Sequence, residues 1–210
     1  TGGQNYHLRK KAFRRDRLTI QDGLLKQKMP YFSSQISQDS TLSLVDKFLK
    51  INRDLREANY QTIAGACHDT DAKMHWQGDF LSLPKSATRA KFADHRVYIY
   101  KGREIDRQVH MGVDLASVAR SPIPAANTGI VIFAEFLGIY GKTVILDHGF
   151  GLFSMYAHLS NIGVKVGDQL SKGDILGRTG LTGLAGGDHL HFSVLIHDTF
   201  VNPVEWWDMK

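Results

Sequence analysis

Long apolar runs and cysteines are scarce in this chain of 210 residues. No apolar stretch approaches the roughly 20 residues that a membrane-spanning helix needs. The first residues lead directly into polar sequence without the apolar segment of a secretory signal, which still leaves export open. Cys67 is the single cysteine, so an internal disulfide is excluded and the redox compartment stays undetermined.

Prolines are also few, with 5 against 20 glycines, while 42% of the residues are apolar. This composition is typical of a folded protein that is rich in turns. The length is sufficient for one substantial hydrophobic core or two modest ones.

The net charge of +5 is concentrated at the N-terminal end. Residues 1–28 carry eight Lys or Arg against Asp16 and Asp22, whereas the other 182 residues carry 18 basic and 19 acidic groups. A charge run of this kind indicates first of all a solvated basic linker. Attraction to an anionic envelope polymer or lipid surface is the sharper alternative. Nucleic acid is not an expected partner, because no binding motif accompanies the charge.

Helical patterns are confined to the N-terminal part of the sequence. A short helix is predicted to begin near Asp22 and to end at Pro30. Apolar residues then recur at helical spacing over residues 42–60, which predicts the main helix of the chain. We therefore expect a basic linker or lead-in segment over residues 1–40 and a helical N-terminal region over residues 41–94.

From residue 95 onward the pattern changes to β-strands separated by turns. Residues 97–100 and 103–109 predict a hairpin around Lys101-Gly102. Glycines recur densely after residue 160, where they supply tight turns between short strands. Three further β-rich stretches are residues 129–136, 143–147 and 152–158. The expected fold class is mainly β, an antiparallel sheet with a smaller helical N-terminal segment.

Three histidines and an aspartate form two pairs, and the spacing within each pair places both side chains on one face of the chain. His189 and His191 are two residues apart in a predicted strand, so both point to the same face. His110 and Asp114 are four residues apart and share a face in either an extended or a helical chain. Three ligands from two segments, with a fourth position for water, form the pattern of a catalytic zinc site. Spacing alone assigns His110, Asp114 and one histidine of the pair as ligands, and leaves the other histidine for proton transfer.

His158 ends another predicted strand and is a second candidate for moving a proton. Tyr156, two residues earlier, is expected to share its face. A His-x-His pair occurs often by chance, however, and His148 sits in a turn, where a structural hydrogen-bonding role is expected. The motifs alone therefore support a metal site and ordinary surface histidines equally.

The order of the motifs resembles a known family. His-x-x-x-Asp (110–114) is followed by Tyr-Ala-His-Leu (156–159) and Gly-Asp-His-Leu-His-Phe (187–192), with Val-Gly-Asp-Gln-Leu-Ser-Lys-Gly-Asp-Ile-Leu-Gly (166–177) between them. This set resembles the lysostaphin-type (LytM-type) zinc metallopeptidases, which are bacterial cell-wall endopeptidases built on an antiparallel β groove. The similarity covers approximately residues 95–207.

The resemblance implies a role for each of five polar residues. His110, Asp114 and His191 would bind Zn²⁺, whereas His158 and His189 would handle the proton and stabilise the oxyanion. The implied function is zinc-dependent hydrolysis of peptide cross-links in peptidoglycan, with its stem peptides as the substrate. Such an enzyme works on the periplasmic or extracellular side of the cell envelope. By analogy alone, a D-alanyl to diaminopimelate cross-link is expected rather than a glycine bridge.

Other arrangements stay open. The chain could instead be a non-hydrolytic wall-binding module that recruits or activates another hydrolase, since some relatives serve only as activators. Residues 1–94 resemble the helical lead-in of longer envelope proteins, before a metallopeptidase domain at residues 95–210. That lead-in could reach across the site and supply a ligand in place of water. An envelope protein regulator is a further candidate partner, and membrane attachment is expected only through a segment upstream of this chain.

Overall fold

An antiparallel sheet of eight strands forms the centre of the structure, a computed structural model that describes residues 12–35 and 41–207. Strands are numbered in chain order. Seven of its strands follow one another in the spatial order β11 (Gln169–Leu170), β7 (Gly129–Leu137), β8 (Gly141–Asp147), β9 (Leu152–Leu159), β13 (Leu190–Ile196), β5 (Val113–Ala116) and β2 (Ala87–Ala90). The eighth strand, β14 (Thr199–Val201), also pairs with β13. The predicted fold class is confirmed.

Two smaller sheets of three strands lie beside the central one. The first contains β1 (Arg15–Thr19), β3 (His95–Tyr100) and β4 (Arg103–Val109), in that order. Strands β3 and β4 form the hairpin that the sequence predicts, and β1 pairs with β3 in parallel. The second contains β10 (Asn161–Ile162), β12 (Ile175–Arg178) and β6 (Pro122–Pro124).

The helices precede the central sheet, apart from two short 3₁₀ helices. Helix α1 (Asp22–Lys28) ends two residues before Pro30, and a 3₁₀ turn, Met29–Phe32, continues it. The main helix consists of α2 (Leu44–Lys50), a π-helical turn (Ile51–Leu55) and α3 (Arg56–Ala66). The two further 3₁₀ helices are Gly138–Tyr140 and Pro203–Trp206. None of the helices in the described residues combines the length and apolarity needed to span a bilayer.

The main helix begins and ends for identifiable reasons. The Ser43 hydroxyl accepts a hydrogen bond from the backbone N–H of Asp46 at 3.2 Å, which caps the first turn. The helix continues six residues beyond the predicted end at residue 60, because Ile63 extends the buried stripe by one more turn. Asn59 on the same stripe accepts the backbone N–H of Ile139 at 2.9 Å and so ties the helix to the central sheet.

The central sheet is covered on both faces, because nearly every residue of its middle strands is buried. In β8, Val144 and Leu146 belong to one core, while Ile145 between them belongs to the other. The second core is closed by the main helix through Phe48 and Ile63. The helical region therefore shares a core with the sheet instead of packing as a separate unit.

His148 has a structural role in the turn after β8, as its position predicts. Its Nδ1 donates a hydrogen bond to the Thr128 carbonyl oxygen at 2.7 Å, and its Nε2 lies 2.7 Å from the Ser154 hydroxyl oxygen. The side chain is fully buried, and its ring packs edge-on against Phe80 with a centroid separation of 4.8 Å. An imidazole held in this way is stable only in its neutral form.

Replacing His148 with Gln is expected to flatten the loss of stability in acid. Burial lowers the pKa of His148 to about 4, so between pH 6.5 and about 4 the unfolded chain binds a proton that the folded chain does not. This residue therefore lowers the free energy of unfolding as the pH falls through that window, by about 3 kcal/mol at its lower end. Urea unfolding of both proteins at pH 7 and at mildly acidic pH, with EDTA present, measures the difference. If the free energy of unfolding falls by the same amount in wild type and in His148→Gln on acidification, the prediction is wrong.

Candidate metal centre

His110 and Asp114 flank the short connection between β4 and β5. His110 follows the last residue of β4, and Asp114 is the second residue of β5. Nε2 of His110 lies 2.9 Å from Oδ1 of Asp114. A Cβ added to Gly112, between them, would lie 2.6 Å from the Phe192 carbonyl oxygen and 2.7 Å from Nε2 of His191. Glycine is required here because β13 approaches the connection too closely for any side chain.

His191 joins the pair through strand register. In the antiparallel pairing of β13 with β5, His191 is directly opposite Asp114, so both side chains lie on the same face. Nδ1 of His191 is 3.0 Å from Oδ1 of Asp114 and 3.0 Å from Nε2 of His110. These three buried atoms form a nearly equilateral triangle, which we call the donor triangle. Tetrahedral zinc, with bonds of about 2.0–2.1 Å, holds neighbouring donors at a comparable separation of roughly 3.3 Å.

The other ring nitrogens determine which atoms face the donor triangle. Nδ1 of His110 donates to the Lys91 carbonyl oxygen at 2.9 Å, and Nε2 of His191 donates to the Ser193 hydroxyl oxygen at 3.1 Å. The remaining nitrogen of each imidazole therefore directs a lone pair toward the carboxylate of Asp114. Lone pairs from two imidazoles and one carboxylate that meet in this way suit a cation, and outer hydrogen bonds of this kind usually accompany metal-binding histidines.

Protonation states at the donor triangle also favour a cation. Burial lowers the pKa of His191 to about 4, so its imidazole is neutral near pH 7. Burial acts to raise the pKa of Asp114, yet that pKa lies well below its usual value, so the carboxylate is ionised near pH 7. Nη2 of Arg96 lies 2.6 Å from Oδ2 of Asp114 and pairs with the ionised carboxylate. Neutral imidazole and ionised carboxylate are the forms that bind zinc.

His189 and His158 lie beside the donor triangle. Nε2 of His189 is 3.6 Å from Oδ1 of Asp114, while its Nδ1 donates to the Gly187 carbonyl oxygen at 2.9 Å. Nδ1 of His158 donates to the Thr182 carbonyl oxygen at 2.9 Å, and its ring centroid is 4.8 Å from that of His189. Burial lowers the pKa of His158 well below its ordinary value, with the neighbouring His189 adding to the effect. Each histidine therefore keeps Nε2 available to accept a proton.

His158 reaches the site through an uncommon backbone conformation. Its φ of 64° lies in the left-handed region, which residues other than glycine rarely adopt. Strand alternation would place His158 on the face of Tyr156, but the Tyr156 hydroxyl accepts the backbone N–H of Ala126 at 2.7 Å within the other core. The expectation that the two residues share a face is therefore wrong. Backbone strain of this kind is often found at functional sites.

One cavity of about 300 Å³ is lined by all five of the residues singled out from the sequence, namely His110, Asp114, His158, His189 and His191. Among the other residues that line it, Arg56, Arg96 and Tyr140 were not singled out by sequence reasoning. Alternation along β3 could have placed Arg96 on the face of the buried Tyr98. Nothing in the sequence, however, shows that this face meets β5.

The N-terminal elements form one wall of the cavity. Leu18, Ile20 and Leu24 line it, and Nζ of Lys28 donates to the Leu181 carbonyl oxygen at 2.7 Å. Within residues 12–35 and 41–94, no His, Cys, Asp or Glu joins the donor triangle. The basic residues Arg9, Lys10 and Lys11 lie outside the described residues.

The donor triangle and both neighbouring histidines fall within one recognised sequence family. The sequence profile of Peptidase family M23 matches residues 108–203, which contain all five side chains. These residues therefore match the domain of Peptidase family M23, and we call them the M23 domain. Peptidases of this family are zinc-dependent, and the donor set of the M23 domain fits that metal.

Solved structures extend the similarity of the M23 domain to its surroundings. A Pseudomonas aeruginosa protein assigned to peptidase M23 is 31% identical, with a TM-score of 0.59 over 76% of this chain and 61% of that one. The catalytic domain of lysostaphin from Staphylococcus simulans is 28% identical, with a TM-score of 0.51 over 59% of this chain and 92% of that one. The resemblance to lysostaphin-type peptidases is confirmed.

A curated relative is similar to the M23 domain as well. The peptidoglycan DD-endopeptidase ShyA of Vibrio cholerae is 32% identical over 96 residues, which are 46% of this chain and 22% of the Vibrio protein. The chain spans a quarter or less of the length of such curated relatives.

Proposed function

We propose that this chain is a zinc-dependent endopeptidase that hydrolyses peptide cross-links of bacterial peptidoglycan. The observation that carries the proposal is the donor triangle: three buried atoms lie 2.9–3.0 Å apart on the floor of a cavity in an M23 domain. The name of ShyA supports peptidoglycan as the substrate class and the cell envelope as the place of action. Residues 95–210 would act as the metallopeptidase domain, with the helical region before it as one wall of the cavity.

The geometry of the five residues supports a role for each of them in this proposal. We assign His110, Asp114 and His191 as the zinc ligands, through Nε2, Oδ1 and Nδ1. Bound zinc would supply a Lewis acid that polarises the scissile carbonyl and lowers the pKa of water. His189 and His158 each present an unprotonated Nε2 next to the ligands, so they can accept a proton and pass it to the leaving amine. The resulting imidazolium can stabilise the developing oxyanion.

Digestion of purified sacculi tests this proposal. The zinc-loaded chain is expected to release soluble cross-link fragments with new amino termini, identified by mass spectrometry. His191→Ala is expected to release none, because one of three ligands is lost. His68→Ala is the matched control, because that side chain is 83% exposed and is not among the residues that line the cavity.

Three outcomes would count against the proposal or against its site. If His191→Ala digests sacculi at the wild-type rate, the ligand assignment is wrong. If zinc-loaded wild type releases no fragments, the chain is not this hydrolase. Tight binding of sacculi without release would support the alternative, a non-hydrolytic wall-binding module that recruits or activates another hydrolase.

A further inference from the structure

Arg96 is a buried cation with unused hydrogen-bond donors next to the donor triangle. It lies on β3 and lines the cavity, and its side chain is 19% exposed. In the described residues its guanidinium makes one hydrogen bond, from Nη2 to Oδ2 of Asp114 at 2.6 Å. Its buried Nε has no hydrogen-bond partner. Nη1 makes no hydrogen bond to the described residues either, and a donor left unpaired in a cavity is suited to an acceptor that a ligand brings.

The charge balance of the cavity favours an anionic ligand. Arg56, on α3, is the second guanidinium in the lining, and its hydrogen bonds go to Asn52, through the backbone oxygen at 3.0 Å and Oδ1 at 2.6 Å. Asp114 is the one carboxylate among the residues that line this cavity. Two arginines therefore face one acid, and a bound divalent cation would increase the positive excess. Such a cavity attracts substrates that carry a negative charge close to the reacting bond.

We propose that Arg96 binds the carboxylate that the substrate carries on the amine side of the scissile bond. The inference rests on the proposed function and narrows its substrate class. In a D-alanyl to diaminopimelate cross-link, the α-carbon attached to the scissile nitrogen bears a carboxylate, whereas the carbonyl side bears a methyl group. A glycine bridge has no carboxylate at either position. Arg96 thus selects cross-links whose leaving amine belongs to an α-amino acid with a free carboxylate.

Arg96 can reach that carboxylate because its one hydrogen bond, to Asp114, holds the guanidinium beside the donor triangle. The guanidinium contacts Oδ2 of Asp114, while Oδ1 of the same carboxylate belongs to the donor triangle. The guanidinium is therefore separated from the proposed metal position by one carboxylate group. The guanidinium is a fixed cation with several donors, and Nη1, which is not used by Asp114, can donate to an oxygen of the substrate carboxylate.

Two cross-linked peptides that differ in one group test the inference. One carries the free α-carboxylate on the amine-side residue, and the other carries the carboxamide. The zinc-loaded full chain is expected to show a kcat/KM about 10- to 100-fold higher for the free acid, as befits a hydrogen-bonded charge. In Arg96→Gln the ratio is expected to fall to near one, and in Arg96→Lys to an intermediate value. Arg107→Gln is the matched control, because its exposed guanidinium on the neighbouring β4 pairs with Glu104 away from the cavity.

Arg96 also contacts Asp114, so a positioning role has to be separated from substrate binding. Zinc content is measured for every variant at saturating zinc. A loss of activity in Arg96→Gln that is equal for both peptides, with the wild-type ratio preserved, would show that Arg96 only orients Asp114 and would overturn the inference. A wild-type ratio near one would overturn it as well.

A binding measurement keeps the inference separate from the proposed function. Calorimetric titration of the zinc-loaded chain with the two amine-side products, acid and amide, requires no turnover. If wild type cleaves neither peptide, the proposed function fails, and the two affinities still decide the role of Arg96. Roughly 10-fold or tighter binding of the acid, abolished in Arg96→Gln, is the expected result. Equal affinities would contradict it.

Discussion

Asp114→Ala is expected to release zinc and to lower cross-link hydrolysis by on the order of a thousand-fold or more. Oδ1 of Asp114 lies within 3.0 Å of both histidine donors, so its loss removes one corner of the donor triangle. The substitution also leaves the buried charge of Arg96 without its carboxylate, and an unpaired buried charge weakens the local structure. Both effects act at the same point, which is why we expect a larger loss of zinc here than for either histidine.

Zinc content per chain after dialysis is the primary measurement for Asp114→Ala, with cleavage of the free-acid cross-linked peptide as the second. The matched control is Asp69→Ala, which removes a fully exposed carboxylate from the same chain. One zinc per chain in Asp114→Ala would exclude Asp114 as a ligand. Circular dichroism shows whether the variant keeps its fold, so that a general loss of structure is not read as a loss of the ligand.

His158→Ala is expected to keep its zinc and to lose about 10²- to 10⁴-fold in kcat, the usual contribution of a positioned proton-transfer group. Its imidazole lies beside the donor triangle and not in it: its ring centroid is 5.9 Å from that of His191. Alanine at this position has the same left-handed backbone to adopt, so the change isolates the imidazole from the strain. KM is expected to change little.

Zinc content and kcat, measured together on the free-acid peptide, decide the role of His158. Retained zinc with a low kcat supports proton transfer or oxyanion stabilisation. A variant that loses its zinc would instead place His158 among the ligands. A variant with wild-type kcat would remove it from the machinery, and His189→Ala should then carry the whole loss.

Much of the fold could be predicted because it rests on local patterns. The β3–β4 hairpin follows from two β-rich runs around Lys101-Gly102, and the sheet strands follow from dense apolar residues. The main helix follows from apolar spacing, whereas its last turn contains Thr62 and Gly65, which are weak helix formers. Ile63, between them, is buried against the sheet, and that tertiary contact outweighs the local preference.

The candidate site also has a part that local spacing predicts and a part that depends on contacts between distant strands. Two-residue spacing correctly places His189 and His191 on one side of the chain, but it cannot say which of them meets Asp114. Strand register decides that, because His191 and not His189 is opposite Asp114 in the pairing of β13 with β5. Pairing between distant strands is invisible in a single sequence. At the level of the sequence, the family resemblance alone distinguishes His191 from His189.

The positions of Arg96 and Tyr156 could not be predicted from the sequence. Arg96 reaches Asp114 only because the small sheet of β1, β3 and β4 lies over the cavity, a long-range arrangement. Regular alternation of side chains along a strand predicts that Tyr156 and His158 share a face. The positive φ of His158 interrupts that alternation, and the neighbouring residue types do not indicate the interruption.

The left-handed backbone at His158 also limits how this protein can be improved. Glycine would adopt φ of 64° with less strain, so a search for thermostable variants would be drawn to glycine at that position. Every such gain would discard the imidazole. Stability and the catalytic role that we propose for His158 therefore compete at this one position, and a stabilised variant that keeps the imidazole has to gain its stability elsewhere.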